Sequence, residues 1–106
     1  MTKFTRLKVL RWDKGETPTE NGIARLLDAE NLNYYPWSNS PNDLYAPHLH
    51  TYAKIIYVLR GSITFILPDE DETLTLYPGD RLKLPENTVH SAVVGSQGVT
   101  CFEAHL

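Results

Sequence analysis

The sequence contains a single cysteine, Cys101, among its 106 residues. One cysteine excludes an internal disulfide and any metal site built from several cysteines, and it is typical of a reducing compartment, so we expect a cytoplasmic protein. No apolar run approaches the roughly 20 residues of a membrane-spanning helix. The amino terminus, MTKFTRLKVLRW, is too charged for a signal peptide. Ten Lys and Arg against 13 Asp and Glu leave no basic surface for nucleic acid.

The length of the chain and its 42% hydrophobic content indicate one domain, residues 1–106. We divide this domain into an N-terminal strand and helix, residues 1–31, and a β-barrel, residues 32–106. In the first part, the mixed apolar and basic run Phe4–Trp12 predicts an exposed edge strand.

A helix is predicted after this strand, at the sequence TPTE. Thr17 is the expected N-cap, Pro18 the first helical residue and Glu20 the acidic partner in a capping box. Asn31 is the expected left-handed stop. The chain therefore carries one capped helix near its amino terminus.

From residue 32 onward, Pro, Gly, Asn and Asp separate short apolar or alternating runs about ten residues apart, which indicates an antiparallel barrel or sandwich. We expect turns at Arg60-Gly61 and at Gly95–Gly98, and an acidic loop at Pro68–Glu72. The predicted strands are Leu32–Trp37, Tyr52–Leu59, Ser62–Leu67, Thr73–Tyr77, Arg81–Leu84, Val89–Val94 and Val99–Ala104. The aromatic-rich stretch Asn33–Tyr45 either lines a ligand site or covers the open end of the barrel.

Histidines provide the clearest functional signal in the sequence. His48 and His50 lie one residue apart in PHLHTYAKIIYVLRG, and in a strand their side chains would share one face. With His90 from another strand, they could bind a divalent transition metal such as Fe, Mn, Zn or Ni. The alternative is that all three are ordinary polar residues at the mouth of a barrel.

This stretch and PGDRLKLPENTVHSAVVG resemble the two sequence motifs of the cupin superfamily. The residues that fit the first motif are His48, His50, Tyr57, Val58, Leu59 and Gly61, and those that fit the second are Gly79, Pro85 and His90. The resemblance implies a small all-β jelly-roll barrel with the three histidines as metal ligands. Asn87 replaces a motif glycine, and Lys54 replaces the glutamate ligand. Small cupins commonly form homodimers, and the N-terminal edge strand could pair with a second copy.

Lys54 is the unexpected residue, because a cation lies beside a predicted cation site. We expect the flexible side chain to swing toward the barrel mouth; alternatively, it could lose its proton, or it could hold an anion in a metal-free site. Tyr52 shares the predicted face of His48 and His50 and could orient a substrate oxygen. Glu103, on one face of the last strand with Cys101, could enter the barrel and replace the missing carboxylate, or it could face solvent.

These residues lead to three hypotheses for function. The first is a metal-dependent enzyme, dioxygenase-like or isomerase-like, that acts on a small and possibly anionic substrate. In it, His48, His50 and His90 bind the metal, and Lys54 and Tyr52 are catalytic. The second is a binding or sensing module for a small molecule. The third is a degenerate cupin without metal.

Overall fold

Seven β-strands and one α-helix make up residues 8–106, the part of the chain that the computed structural model describes. In chain order these elements are β1 (Lys8–Leu10), α1 (Glu20–Ala29), β2 (Tyr35–Asn39), β3 (Leu44–His48), β4 (Lys54–Leu67), β5 (Glu72–Leu76), β6 (Arg81–Leu84) and β7 (His90–His105). A single 3₁₀ turn, Pro68–Glu70, lies in the predicted acidic loop.

The strands are antiparallel and are organised around β4 and β7, which pair along most of their length. The first part of β4 also pairs with β6, and its second part pairs with β5. Strand β7 pairs with β3 near its beginning and with β2 near its end, while β1 adds to the edge at β6. This is the predicted all-β jelly roll with one helix.

Two of the predicted turns are wrong, because the chain continues as strand through both. The runs predicted as Tyr52–Leu59 and Ser62–Leu67 form one strand, β4, and those predicted as Val89–Val94 and Val99–Ala104 form β7. The register of β4 against β7 shifts on both sides of Gly61. Gly61 has φ +77°, and a Cβ there would lie 1.9 Å from the carbonyl oxygen of Gly98. The glycines therefore permit close strand crossing rather than a hairpin turn.

The segment around the histidine pair also differs from the prediction. His48 is the last residue of β3, a strand that was not predicted from the sequence, and His50 lies in the connection to β4. The two side chains are therefore not brought together by alternation along one strand. At the amino terminus, β1 covers only part of the predicted run Phe4–Trp12, and residues 4–7 lie outside the described residues.

The helix begins two residues later than predicted. Thr19, not Thr17, is the N-cap: its backbone is extended, and its hydroxyl accepts a hydrogen bond from the Gly22 amide at 3.0 Å. Pro18 therefore precedes the cap. Asn31 has φ 58°, the left-handed conformation expected of a helix stop. No helix among residues 8–106 is long and apolar enough to cross a membrane.

Alternation along β4 and β7 directs side chains into two separate cores. Ile23 and Leu27 of α1 pack on the outer face, against Ile55, Tyr57, Leu59, Phe102 and Ala104. The inner face forms the barrel core, with Ile56, Val58, Ile63, Phe65, Leu67, Leu76, Leu82, Leu84, Ala92, Val94, Val99 and Cys101. Because Lys54 precedes Ile55 and Glu103 lies between Phe102 and Ala104, both charged side chains point into the barrel.

Candidate metal centre and its neighbours

The three predicted histidines converge at one end of the barrel interior. The Cα atoms of His48 and His90 are paired across β3 and β7. His50 is held nearby because its carbonyl oxygen accepts a 2.7 Å hydrogen bond from the amide of Asn87, which has φ 59°. One side-chain nitrogen from each histidine lies within 4.8 Å of the other two. The fold therefore brings together all three residues of the predicted set.

Two of the imidazoles are oriented by backbone carbonyls. The Nδ1 of His48 lies 2.7 Å from the Ala46 oxygen, and the Nδ1 of His90 lies 2.8 Å from the Thr88 oxygen. A carbonyl only accepts, so in both rings Nδ1 carries the proton and Nε2 keeps its lone pair. This is the arrangement by which hydrogen-bond partners behind a histidine prepare it to bind a metal.

The surroundings also favour the neutral form of His50 and His90. Burial lowers the pKa of His90 to about 4, and the positive charges of His48 and Lys54 act in the same direction, against the hydrogen bond to Thr88. Burial and the charge of Lys54 likewise lower the pKa of His50. Neutral imidazole is the form that binds metals, so these two side chains are ready for coordination near pH 7.

Lys54 lies inside the barrel rather than at its mouth. Only 8% of the residue is exposed, and its Nζ lies 3.5 Å from Oε1 of Glu103. The side chain lines the same cavity as His48 and His90. The expectation that Lys54 swings outward is therefore wrong, because a buried carboxylate on the neighbouring strand compensates its charge.

Glu103 enters the interior and lies at the centre of a hydrogen-bond network. Its Oε1 accepts from Trp37 Nε1 at 3.1 Å, and its Oε2 accepts from the Tyr35 hydroxyl at 2.5 Å and from His105 Nε2 at 2.8 Å. Burial acts to raise the pKa of Glu103, but the hydrogen bond from Tyr35, the charge of Lys54 and His105 outweigh it and hold the pKa below its ordinary value. Glu103 is thus a charged, fully hydrogen-bonded carboxylate inside the protein, although it is not part of the histidine cluster.

Tyr52 is placed beside the cluster. Its ring stacks on His50 at a centroid distance of 5.0 Å, and its centroid also lies 4.3 Å from that of His105. It does not line the cavity that Lys54 and His90 share. The structure therefore places Tyr52 against a candidate ligand rather than in the cavity wall.

A cavity of about 70 Å³ adjoins the histidines. Its lining combines the polar groups of His48, His90 and Lys54 with an apolar and aromatic surface formed by Trp37, Tyr45, Ile56, Ile63, Phe65 and Ala92. A water molecule requires roughly 10–15 Å³ of such volume, so the cavity is large enough for a small organic group. Trp37 and Tyr45, from the aromatic-rich stretch, are part of this wall.

Sequence reasoning missed the partners of Glu103. Tyr35 and Trp37 belong to β2, which pairs with the end of β7 so that Tyr35 lies opposite Glu103 and Trp37 opposite Cys101. The alternation of Cys101 and Glu103 was visible in the sequence. The pairing of β2 with β7, which brings the donors to the carboxylate, was not.

The sequence profile of the cupin family, described as "Cupin", matches residues 27–103. The structure of the polyketide cyclase RemF from Streptomyces resistomycificus is 32% identical, with a TM-score of 0.61; the match covers 68% of this chain and 52% of RemF. This chain thus spans about half the length of RemF.

Two further structures are similar to this chain. KdgF from a Halomonas species is 26% identical with a TM-score of 0.57, covering 68% of this chain and 67% of KdgF. A DUF861 family protein from Thermotoga maritima, 15% identical with a TM-score of 0.63, matches 95% of this chain and 100% of its own, which supports the fold alone. No curated protein sequence matches this chain.

Proposed function

The chain belongs to the cupin family, and we propose that it is a metal-dependent enzyme acting on a small organic substrate, with isomerase-like chemistry as the first choice. The observation that carries the proposal is the convergence of three histidine nitrogens within 4.8 Å, beside a cavity. RemF is named a polyketide cyclase, which supports a catalytic rather than a non-catalytic role for this chain.

The three histidines fit a divalent transition metal. Neutral imidazoles with a free Nε2 are good ligands for Zn, Fe, Mn or Ni. Nitrogens about 2.1 Å from one zinc ion lie roughly 3.4 Å apart, so the widest separation, 4.8 Å, shortens by about 1.4 Å on binding. His48 and His50 are both partly exposed, so their side chains have room for that movement.

A metal bound here would act as a Lewis acid that polarises a substrate oxygen. Lys54 would place a positive charge beside that oxygen and stabilise negative charge that develops on it. Tyr52 would hold the ring of His50 by stacking and present a hydroxyl near the site. Replacing Tyr52 by Phe keeps the stack, so a catalytic hydroxyl predicts a fall in kcat with unchanged metal content. An unchanged kcat would leave Tyr52 with a packing role.

Among the described residues no carboxylate joins the histidine cluster, which favours isomerase-like over dioxygenase-like chemistry. Iron oxygenases are commonly built on two histidines and one carboxylate, whereas three histidines are a familiar zinc set. Iron in the purified protein, with oxygen consumption in the presence of substrate, would favour the dioxygenase-like alternative instead.

The test of the metal centre is elemental analysis of the full chain, purified without chelator and again after reconstitution with Zn²⁺, Fe²⁺, Mn²⁺ or Ni²⁺. We expect one equivalent of metal per chain and its loss in His90→Ala. The matched control is His105→Ala, which removes a nearby histidine outside the cluster and should retain the metal. A wild-type protein with only trace metal under all these conditions would contradict the proposal.

A second candidate is a non-catalytic binding module or a metal-free, degenerate cupin. The Lys54–Glu103 pair favours it, because the interior is charge-balanced without an ion. Incubation of the metal-loaded protein with small carboxylic acids, followed by mass spectrometry, distinguishes the enzyme from the binding module. Recovery of bound but unchanged ligand supports the binding module.

We also propose a homodimer in the cytoplasm. Among the described strands, β1 pairs only with β6 and lies at the end of the strand order, so within residues 8–106 its other edge is available to a second copy. The buried, single Cys101 is compatible with a reducing compartment. A monomeric mass by light scattering at micromolar concentration would contradict the dimer.

A further inference from the structure

We propose that Lys54 forms an anion subsite in the cavity, so that the substrate carries a carboxylate or a similar oxyanion, and that Glu103 holds the lysine in place. This inference rests on the proposed function for the neighbouring metal centre, and it names the class of substrate. A small organic acid with a short apolar part fits the cavity.

The first argument is the unequal hydrogen bonding of the ion pair. A lysine ammonium has three donors, yet the hydrogen bond from Nζ to Glu103 is long, 3.5 Å, and it is the one side-chain partner that Lys54 has among the described residues. Glu103 has three other donors, from Tyr35, Trp37 and His105. The carboxylate thus has three donors besides Lys54, whereas the buried ammonium retains donors for a ligand.

The second argument is position. Lys54 lines the cavity together with His48 and His90. A ligand oxygen in this cavity would therefore lie near both the ammonium and the imidazoles. Charge-assisted hydrogen bonds from a buried ammonium are stronger than neutral ones, so an anion gains more here than a neutral group of the same shape.

The third argument concerns the rest of the cavity wall. Ile56, Ile63, Phe65 and Ala92 add apolar surface to the cavity that Lys54 lines. With a volume of about 70 Å³, the cavity accepts a few heavy atoms beyond the anionic group. A wall that combines one cation with apolar side chains favours a short-chain organic acid over an inorganic anion.

The experiment uses propionate and its neutral, nearly isosteric amide, propionamide, as probes. Chemical shifts of backbone amides are followed by NMR as each probe is titrated into the full-length Zn²⁺-loaded protein and into the metal-free protein. We expect propionate to bind at least tenfold more tightly than propionamide to the wild-type protein, with the largest shifts along Ile56, Phe65 and Ala92. This comparison needs no variant.

Two substitutions then assign the preference. Lys54→Met keeps the length of the side chain and should abolish the preference for propionate, whereas Lys83→Met, which removes an exposed lysine on β6, should leave it unchanged. If propionate and propionamide bind equally to the wild-type protein, or if the preference survives in Lys54→Met, the anion subsite is refuted. Zinc binding without such a preference refutes only the subsite, whereas the preference without any metal binding refutes only the metal centre.

Discussion

Replacing Glu103 by Gln would leave the Lys54 ammonium without its counter-ion inside the barrel. The side chains of Lys54 and Glu103 are only 10% and 7% exposed, so water cannot screen the remaining charge effectively. The introduced amide would still accept hydrogen bonds through its oxygen from Trp37 or Tyr35, so the change mainly removes the charge. We expect Glu103→Gln to lower the free energy of unfolding substantially.

The magnitude follows from the distance and the burial. Opposite unit charges 3.5 Å apart attract by about 5 kcal/mol at an effective dielectric constant of 20. Removing one partner of a buried pair typically costs roughly 3–5 kcal/mol, because the other charge remains desolvated. Lys54→Met/Glu103→Gln removes both charges, and we expect this double variant to be more stable than Glu103→Gln alone.

The assay is urea denaturation of the metal-free wild type, both single variants and the double variant, analysed as a double-mutant cycle. A coupling energy of about 3 kcal/mol is expected. Glu30→Gln is the comparison: Glu30 pairs with Arg81 at 2.7 Å, and the two side chains are 43% and 11% exposed, so water screens this pair more than the inner one and Glu30→Gln should cost less than Glu103→Gln. Additive single variants, or a Glu103→Gln variant no less stable than Glu30→Gln, would show that burial does not strengthen the inner pair.

Three further predictions concern the glycine crossing, the buried imidazole and the metal. Gly61→Ala should lower the free energy of unfolding, measured by urea denaturation, by about 3 kcal/mol or more, because the added Cβ would lie 1.9 Å from a backbone oxygen and φ is +77°. Gly15 has open space around it, so Gly15→Ala should lower the free energy by less than about 1 kcal/mol. Equal losses would contradict the close crossing. The pKa of His90 falls from 6.5 to about 4 on folding. Between these two pH values the unfolded chain binds a proton at His90 and the folded protein does not, so the free energy of unfolding decreases as pH falls from 6.5 toward 4. The metal-free wild type should therefore lose about 2–3 kcal/mol more than His90→Gln between pH 7.5 and 4.5, and parallel pH profiles would refute this. Zn²⁺ at 100 times its Kd should stabilise the wild type by about 2.7 kcal/mol, raising Tm by about 10 °C or more in a thermal melt; a similar rise in His48→Ala would exclude His48 as a ligand.

Much of the histidine cluster was predictable from sequence because its members lie in two motifs of fixed spacing. His90 follows Gly79 and Pro85 at the motif distances, and His48 and His50 precede the apolar run of β4. A jelly roll brings these two segments side by side whatever the details of the strands. The convergence of the imidazoles therefore did not depend on the incorrect assumption that His48 and His50 share one strand.

The orientation of Glu103 was not predictable, and the reason is physical. Alternation along β7 placed Cys101 and Glu103 on one face, but it could not identify that face as the inner one. Phe102 and Ala104 on the opposite face are equally buried, because α1 covers the outside of the barrel. A strand buried on both faces shows no hydrophobic contrast, so its sequence does not distinguish inside from outside.

The continuity of β4 and β7 was also hidden, because Gly61 and Gly98 are as common in hairpin turns as in strand crossings. Both glycines have positive φ, which suits either structure. A strand crossing differs from a hairpin turn by the contact between Gly61 and Gly98, which are far apart in the sequence. A local sequence pattern does not predict such a contact.

The long ladder between β4 and β7 makes folding and ligand binding interdependent. Its Cα partners run from Lys54 opposite His105 to Ile66 opposite Ser91, next to His90. Lys54 and His90 thus lie at opposite ends of one strand ladder. The cavity that they both line therefore requires the whole ladder to be paired. Local fraying at either end would dismantle the pocket before the rest of the barrel melts, so amide hydrogen exchange at these ends should slow when a ligand binds.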